Sequence, residues 1–105
     1  MSNERAKFLA LVDAMKAEAQ LVQENLAKNN TSLASEHANK ASSLLTETVN
    51  DEIAERNQRL ADDLSNSLKN LKSSTESSSN ASTTNDIYLV VGNLLLMLVP
   101  PMIYT

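Results

Sequence analysis

A chain of 105 residues with one glycine, two prolines, no cysteine and 3% aromatic residues has room for a single domain and too little β-branched and aromatic content for a sheet. Its net charge of −4 and pI near 4.8, without any cluster of basic residues, argue against nucleic acid as a partner, because neutralising phosphates takes several Lys or Arg on one face. The lack of cysteine excludes disulfide frameworks, thiolate catalysis and Cys-based zinc sites. The expected class is all-α.

The first element is a helix. Phe8, Val12, Met15, Ala19, Val22 and Leu26 recur at alternating steps of four and three residues, the rhythm of one apolar helical stripe. Lys28-Asn29-Asn30 should end it, since Asn tolerates the left-handed conformation. The N-terminal residues show no secretory h-region, since the apolar run from Phe8 is broken at Asp13. The chain is therefore expected either to stay in the cytosol or to follow a leader that this sequence does not contain.

A second helical region restarts at Thr31 or Ser32 as N-cap, with Ser35-Glu36 completing a loose capping signal. Its stripe runs through Leu33, His37, Ala41, Leu44, Leu45, Val49 and Ile53, then Leu60, Leu64, Leu68 and Leu71. It weakens at Asn57, and Thr48-Val49-Asn50-Asp51 is the expected kink, because Asn and Asp compete locally for helical hydrogen bonds. One long helix and two shorter ones both fit this pattern.

Residues 73–84 are almost wholly Ser, Thr, Asn and Glu and predict a flexible linker. Asn85-Asp86 then caps an apolar run from Ile87 to Tyr104. The expected organisation is a helical hairpin or small bundle over 1–72, a linker over 73–85 and an apolar segment over 86–105.

As one helix, residues 87–104 would rise ~27 Å, close to the ~30 Å hydrocarbon core of a bilayer. Ile87, Tyr88, Leu95, Leu96 and Tyr104 would then anchor the chain, the two tyrosines near the two interfaces. Pro100-Pro101 opposes a helix of that length. The alternatives are a third bundle helix or burial in a homo-oligomer, which would leave the protein in the cytoplasm.

Two clusters carry chemistry-bearing side chains. His37, the sole histidine, stands beside Glu36, and a His with carboxylates inside a bundle can bind iron or zinc. Against a metal site, the Glu-x-x-His pairing of such centres does not occur, and a structural histidine is the competing reading. Asp51, Glu52, Glu55, Asp62 and Asp63 gather near Arg56 and Arg59, an arrangement typical of a solvated charged face. No glycine-rich loop or activated nucleophile is present, so neither catalysis nor a cofactor is expected.

The runs "AEAQLVQENLAKNNTSLASEHANKA" and "IAERNQRLADDLSNSLKNL" resemble small helical domains of extracytoplasmic proteins from ammonia-oxidising archaea. Asn25-Leu26, Asn29 or Asn30, Leu33-Ala34 and His37 stand where that family has its Asn-Leu-x-x-x-Asn, Leu-Ala and His. Related domains precede membrane segments in iron-permease-like proteins, so the resemblance implies a helical hairpin at the cell envelope. The sequence departs from the family in having no proline shortly after His37 and no Arg-Glu-Gly-Leu-Glu permease motif.

The residues together predict a non-enzymatic, membrane-associated helical accessory or interaction protein, contacting lipid or partner helices through 87–104. An extracytoplasmic iron- or copper-related domain using His37 and Glu36, and an oligomeric helical scaffold, are the alternatives.

Overall fold

The structure, a computed structural model, describes residues 3–77 and 80–98. Five helices follow one another: α1 (Asn3–Ala27), α2 (Thr31–Leu44), α3 (Glu47–Arg56), α4 (Gln58–Glu76) and α5 (Asn80–Leu96). The all-α class holds, with no strand among the described residues. α1 packs on α2, α2 on α4, α4 on α5 and α5 back on α1, while the short α3 rests on α4. This closes a four-helix ring with extents of 42 × 22 × 21 Å.

The expected α1 stripe forms one wall of the core. Phe8, Val12, Met15, Ala19 and Val22 are buried, and Leu26 is half-buried against them. At its C-terminus Asn29 takes φ 61°. Asn29 N–H donates to Leu26 O at 3.0 Å and Asn30 N–H to Asn25 O at 2.8 Å. That pair of bonds is the Schellman arrangement, which satisfies carbonyls the helix would otherwise leave open.

On α2 the buried stripe departs from the expected one at its first two positions and rejoins it at Ala41. Ala34, Ala38 and Ala41 are buried while Leu33 is 44% exposed and His37 sits at the edge of the interface. Alanines let the backbones of α1 and α2 approach closely, a geometry that the larger Leu33 and His37 would hold apart. The N-cap also shifts: it is Asn30, with no side-chain cap bond, and Thr31 is already helical.

The region from 33 to 71, read as one helix or two, is three. Its first break falls at Leu45-Thr46 rather than at 48–51, which lie inside α3. Thr46 Oγ1 accepts from Val49 N–H at 3.2 Å and so starts α3. The second break is Asn57 alone, extended at φ −157° and ψ 97°. Its N–H donates to Ile53 O at 2.8 Å, closing α3. Its side chain accepts from Leu60 N–H at 3.0 Å, opening α4. One residue thus satisfies two helix ends.

The expected linker is largely helical: residues 73–76 complete α4 and 80–85 open α5. Ser67, Ser74, Thr75 and Thr83 are buried. Ser67 and Thr75 donate their hydroxyls to carbonyls three residues earlier, at 3.0 and 2.8 Å, and Ser74 Oγ lies 3.2 Å from Leu71 O. Short polar side chains that satisfy themselves on their own helix can be buried without orphaned groups. A composition typical of linkers is here compatible with a packed interface.

α5 begins with two polar turns and only then becomes apolar. Ile87, Val90, Leu94 and Met97 are buried against α4 and α1. Its apolar part from Ile87 to Leu96 rises only ~15 Å at 1.5 Å per residue. Among the described residues no helix is long and apolar enough to cross a membrane, so a spanning role for this segment has no support in the helix. Residues 99–105, including the anchor residue Tyr104, lie outside the described residues.

Candidate functional site

The histidine of the sequence reading is tied to α1. His37 Nδ1 lies 2.9 Å from Glu18 Oε2, with both side chains about one-fifth exposed. Glu36, one residue earlier, points elsewhere and faces Lys40 at 3.8 Å on the exposed side of α2. The two candidate metal ligands are therefore not brought together. No group of three or more His, Asp or Glu that could hold a metal ion exists among the described residues.

The acidic residues of 50–63 are distributed over separate contacts. Glu52 pairs with Lys7 of α1 at 3.0 Å, Asp62 accepts from Gln58 at 3.0 Å and Asp63 faces Arg59 at 3.9 Å. Arg56 has a more particular place. Its guanidinium carbon lies 5.1 Å from the centre of the Phe8 ring, within cation–π range, and its Nη1 donates to Glu52 O at 2.8 Å. These contacts join α3 to the start of α1. Beside them is an open cleft of about 290 Å³ lined by Phe8, Leu11, Ala14, Leu44 and Val49, with Lys7 and Glu52 at its edge.

A second, polar cleft of about 470 Å³ lies where α4 meets α5, lined by Ser73, Ser74, Ser77, Ser82, Asn85 and Asp86. Asp86 is buried there and accepts from Ser74 Oγ at 2.8 Å. Seven residues along each helix, Asn93 Nδ2 donates to Ser67 Oγ at 3.3 Å. The two contacts fix α4 and α5 antiparallel in one register.

Among the described residues, the outward side of α5 carries four of the exposed large hydrophobic side chains. Tyr88, Leu89, Leu95 and Leu96 are 68, 48, 49 and 55% exposed, and Gly92 between them is exposed too. Residues three and four apart share a helix face, so these five form one apolar strip. Three of the expected anchor residues, Tyr88, Leu95 and Leu96, fall on it, whereas Ile87 is buried against the bundle. Leu89 and Gly92 were not singled out by the sequence reading. Their signal is the spacing 88/89, 92, 95/96, which runs in parallel with the buried set 87, 90, 94, 97.

Charge is nearly absent from this helix. Between Asn80 and Leu96 the only ionisable side chains are Asp86 and Tyr88, and no Lys or Arg occurs. Comparison with protein-family models, with curated proteins and with solved structures finds no match to this chain.

Proposed function

We propose that this chain is a non-enzymatic helical interaction protein in which the four-helix ring is the scaffold and the outer face of α5 is the contact surface. The observation that carries the reading is the exposure of four large apolar side chains, Tyr88, Leu89, Leu95 and Leu96, on one side of a helix whose other side is anchored in the core. Water contact with a contiguous apolar strip is unfavourable, and strips of this kind mark surfaces used by a partner. An accessory role at a membrane would use the same strip lying along the lipid surface, without a spanning helix.

The test is the double variant Leu95→Lys/Leu96→Lys in the full chain. Both side chains are half exposed, so the helical circular-dichroism spectrum and melting temperature should be retained. Association should be lost, whether scored as self-association by sedimentation, flotation with phosphatidylcholine vesicles, or crosslinking to other proteins in cells. Association undiminished in all three measurements would refute the face as the contact surface.

A further inference from the structure

We propose that the occupant of this face is a second copy of the chain, the two α5 helices crossing antiparallel with Gly92 at the two-fold axis. This rests on the reading of α5 as the contact face and names its partner.

The first support is a symmetry in the exposed residues. Leu89 and Leu95 stand three positions before and after Gly92, and Tyr88 and Leu96 stand four before and after. A two-fold axis through Gly92 sets Leu89 against Leu95 of the second copy and Tyr88 against Leu96, in both directions at once. An isologous interface requires this self-complementarity; a lipid surface or an unrelated protein does not.

The second support is Gly92 itself. It is the only glycine in the chain, and it sits inside a helix, where glycine is less favourable than alanine. Apart from its two chain neighbours and the backbone of its own helix turn, a Cβ there would meet no atom of the described residues within 4 Å. Packing within one copy therefore gives no reason for a glycine. Close approach of a second helix does, because a missing side chain lets two backbones come together.

Charge and area fit the same occupant. Two copies of a chain with net charge −4 repel each other wherever their carboxylates meet; α5 itself presents none, since Asp86 is buried, and Asp63 of α4, which borders Leu89, faces Arg59 at 3.9 Å. The absence of Lys and Arg from α5 removes the usual attraction to anionic lipid. The four exposed side chains offer less area than the roughly 500 Å² per partner at the lower edge of specific interfaces, which suits only a weak association. The geometry therefore points to a reversible dimer that forms at high concentration.

Gly92→Cys provides a direct test, because the chain has no cysteine of its own. Mild oxidation should convert this variant to a covalent dimer, whereas Gln23→Cys, exposed on α1, should remain monomeric. Leu89→Glu and Leu95→Lys, both at half-exposed positions, should each weaken dimerisation roughly tenfold or more by setting a charge against the facing leucine of the second copy. Mixing the two should restore a dimer, read by sedimentation velocity. A wild type that stays monomeric at the highest attainable concentration would overturn the dimer. Loss of vesicle or protein association in Leu95→Lys/Leu96→Lys would then still uphold α5 as a contact face. A wild type that dimerises, with a charge-variant mixture that does not recover, would overturn the crossing at Gly92.

Discussion

Ser74 Oγ lies 2.8 Å from Asp86 Oδ2 across the α4–α5 interface, with both residues buried. The hydroxyl carries one proton, and the carboxylate is nearer to it than Leu71 O at 3.2 Å. Seven residues away along each helix the roles reverse, and Asn93 Nδ2 donates to Ser67 Oγ at 3.3 Å. Between the two polar contacts the interface is filled by Leu68, Leu71 and Val90. A shift of one helix past the other would leave a buried carboxylate without its donor, so these contacts select a single register among packings that the leucines alone would tolerate.

Removing the donor should therefore cost more than replacing the carboxylate by a neutral acceptor. Ser74→Ala is expected to destabilise the protein by about 1–3 kcal/mol, the penalty for leaving a buried acceptor unsatisfied. Asp86→Asn keeps an oxygen to accept from Ser74 and should stay closer to wild type. Urea unfolding of the two variants decides the matter. Equal midpoints for Ser74→Ala and wild type would show that the contact contributes nothing.

The two sides of α5 should respond differently to substitution. Leu94 is fully buried, and Leu94→Ala should cost about 2–5 kcal/mol through lost burial and the cavity it leaves. Leu95 is 49% exposed, and Leu95→Ala should change stability by no more than about 0.5 kcal/mol. Thermal melts at low protein concentration, where one copy is measured, provide the comparison.

The alanine seam of α2 makes a prediction of the opposite kind. Ala38 is fully buried while Leu33 is 44% exposed. Ala38→Leu should destabilise by about 1–3 kcal/mol, since extra carbons force α1 and α2 apart. Leu33→Ala should be close to neutral. A stable Ala38→Leu variant would show that the two helices are not in close contact there.

Asn57 should matter more than its exposure suggests. Its side chain holds Leu60 N–H at 3.0 Å while its backbone N–H closes α3. Asn57→Ala is expected to cost about 0.5–2 kcal/mol, the usual range for a lost N-cap, and Asn57→Asp should restore most of it. Circular dichroism during urea titration would report both effects.

Gly92→Ala should stabilise a single copy by about 0.5–1 kcal/mol, because the position is helical and nothing described lies within 4 Å of the added carbon. A rise in melting temperature in dilute solution is the expected result. A fall would mean that the position is more crowded than the surrounding residues show.

The helical class, the α1 stripe from Phe8 to Leu26, the left-handed end at Asn29 and the leucines of α4 were all legible in the sequence. Each is a local matter: periodicity and turn chemistry act within a few residues and need no partner to be read. The weakening at Asn57 was visible for the same reason, although its double capping role was not. What depended on a neighbour escaped. The choice of Ala34 and Ala38 over Leu33 and His37 follows from how closely α1 approaches, and small residues give a weak signal by themselves. The helical state of the Ser- and Thr-rich stretch follows from packing of α4 on α5, since those side chains have little preference for a helix until an interface encloses them. The apolar tail was a matter of tertiary structure too. Its composition stated that it avoids water, but only the presence of α1 and α4 alongside divided it into a buried side at Val90 and Leu94 and an outward side at Tyr88 and Leu95. Hydrophobicity is a property of a residue, whereas burial is a property of the surfaces that meet it.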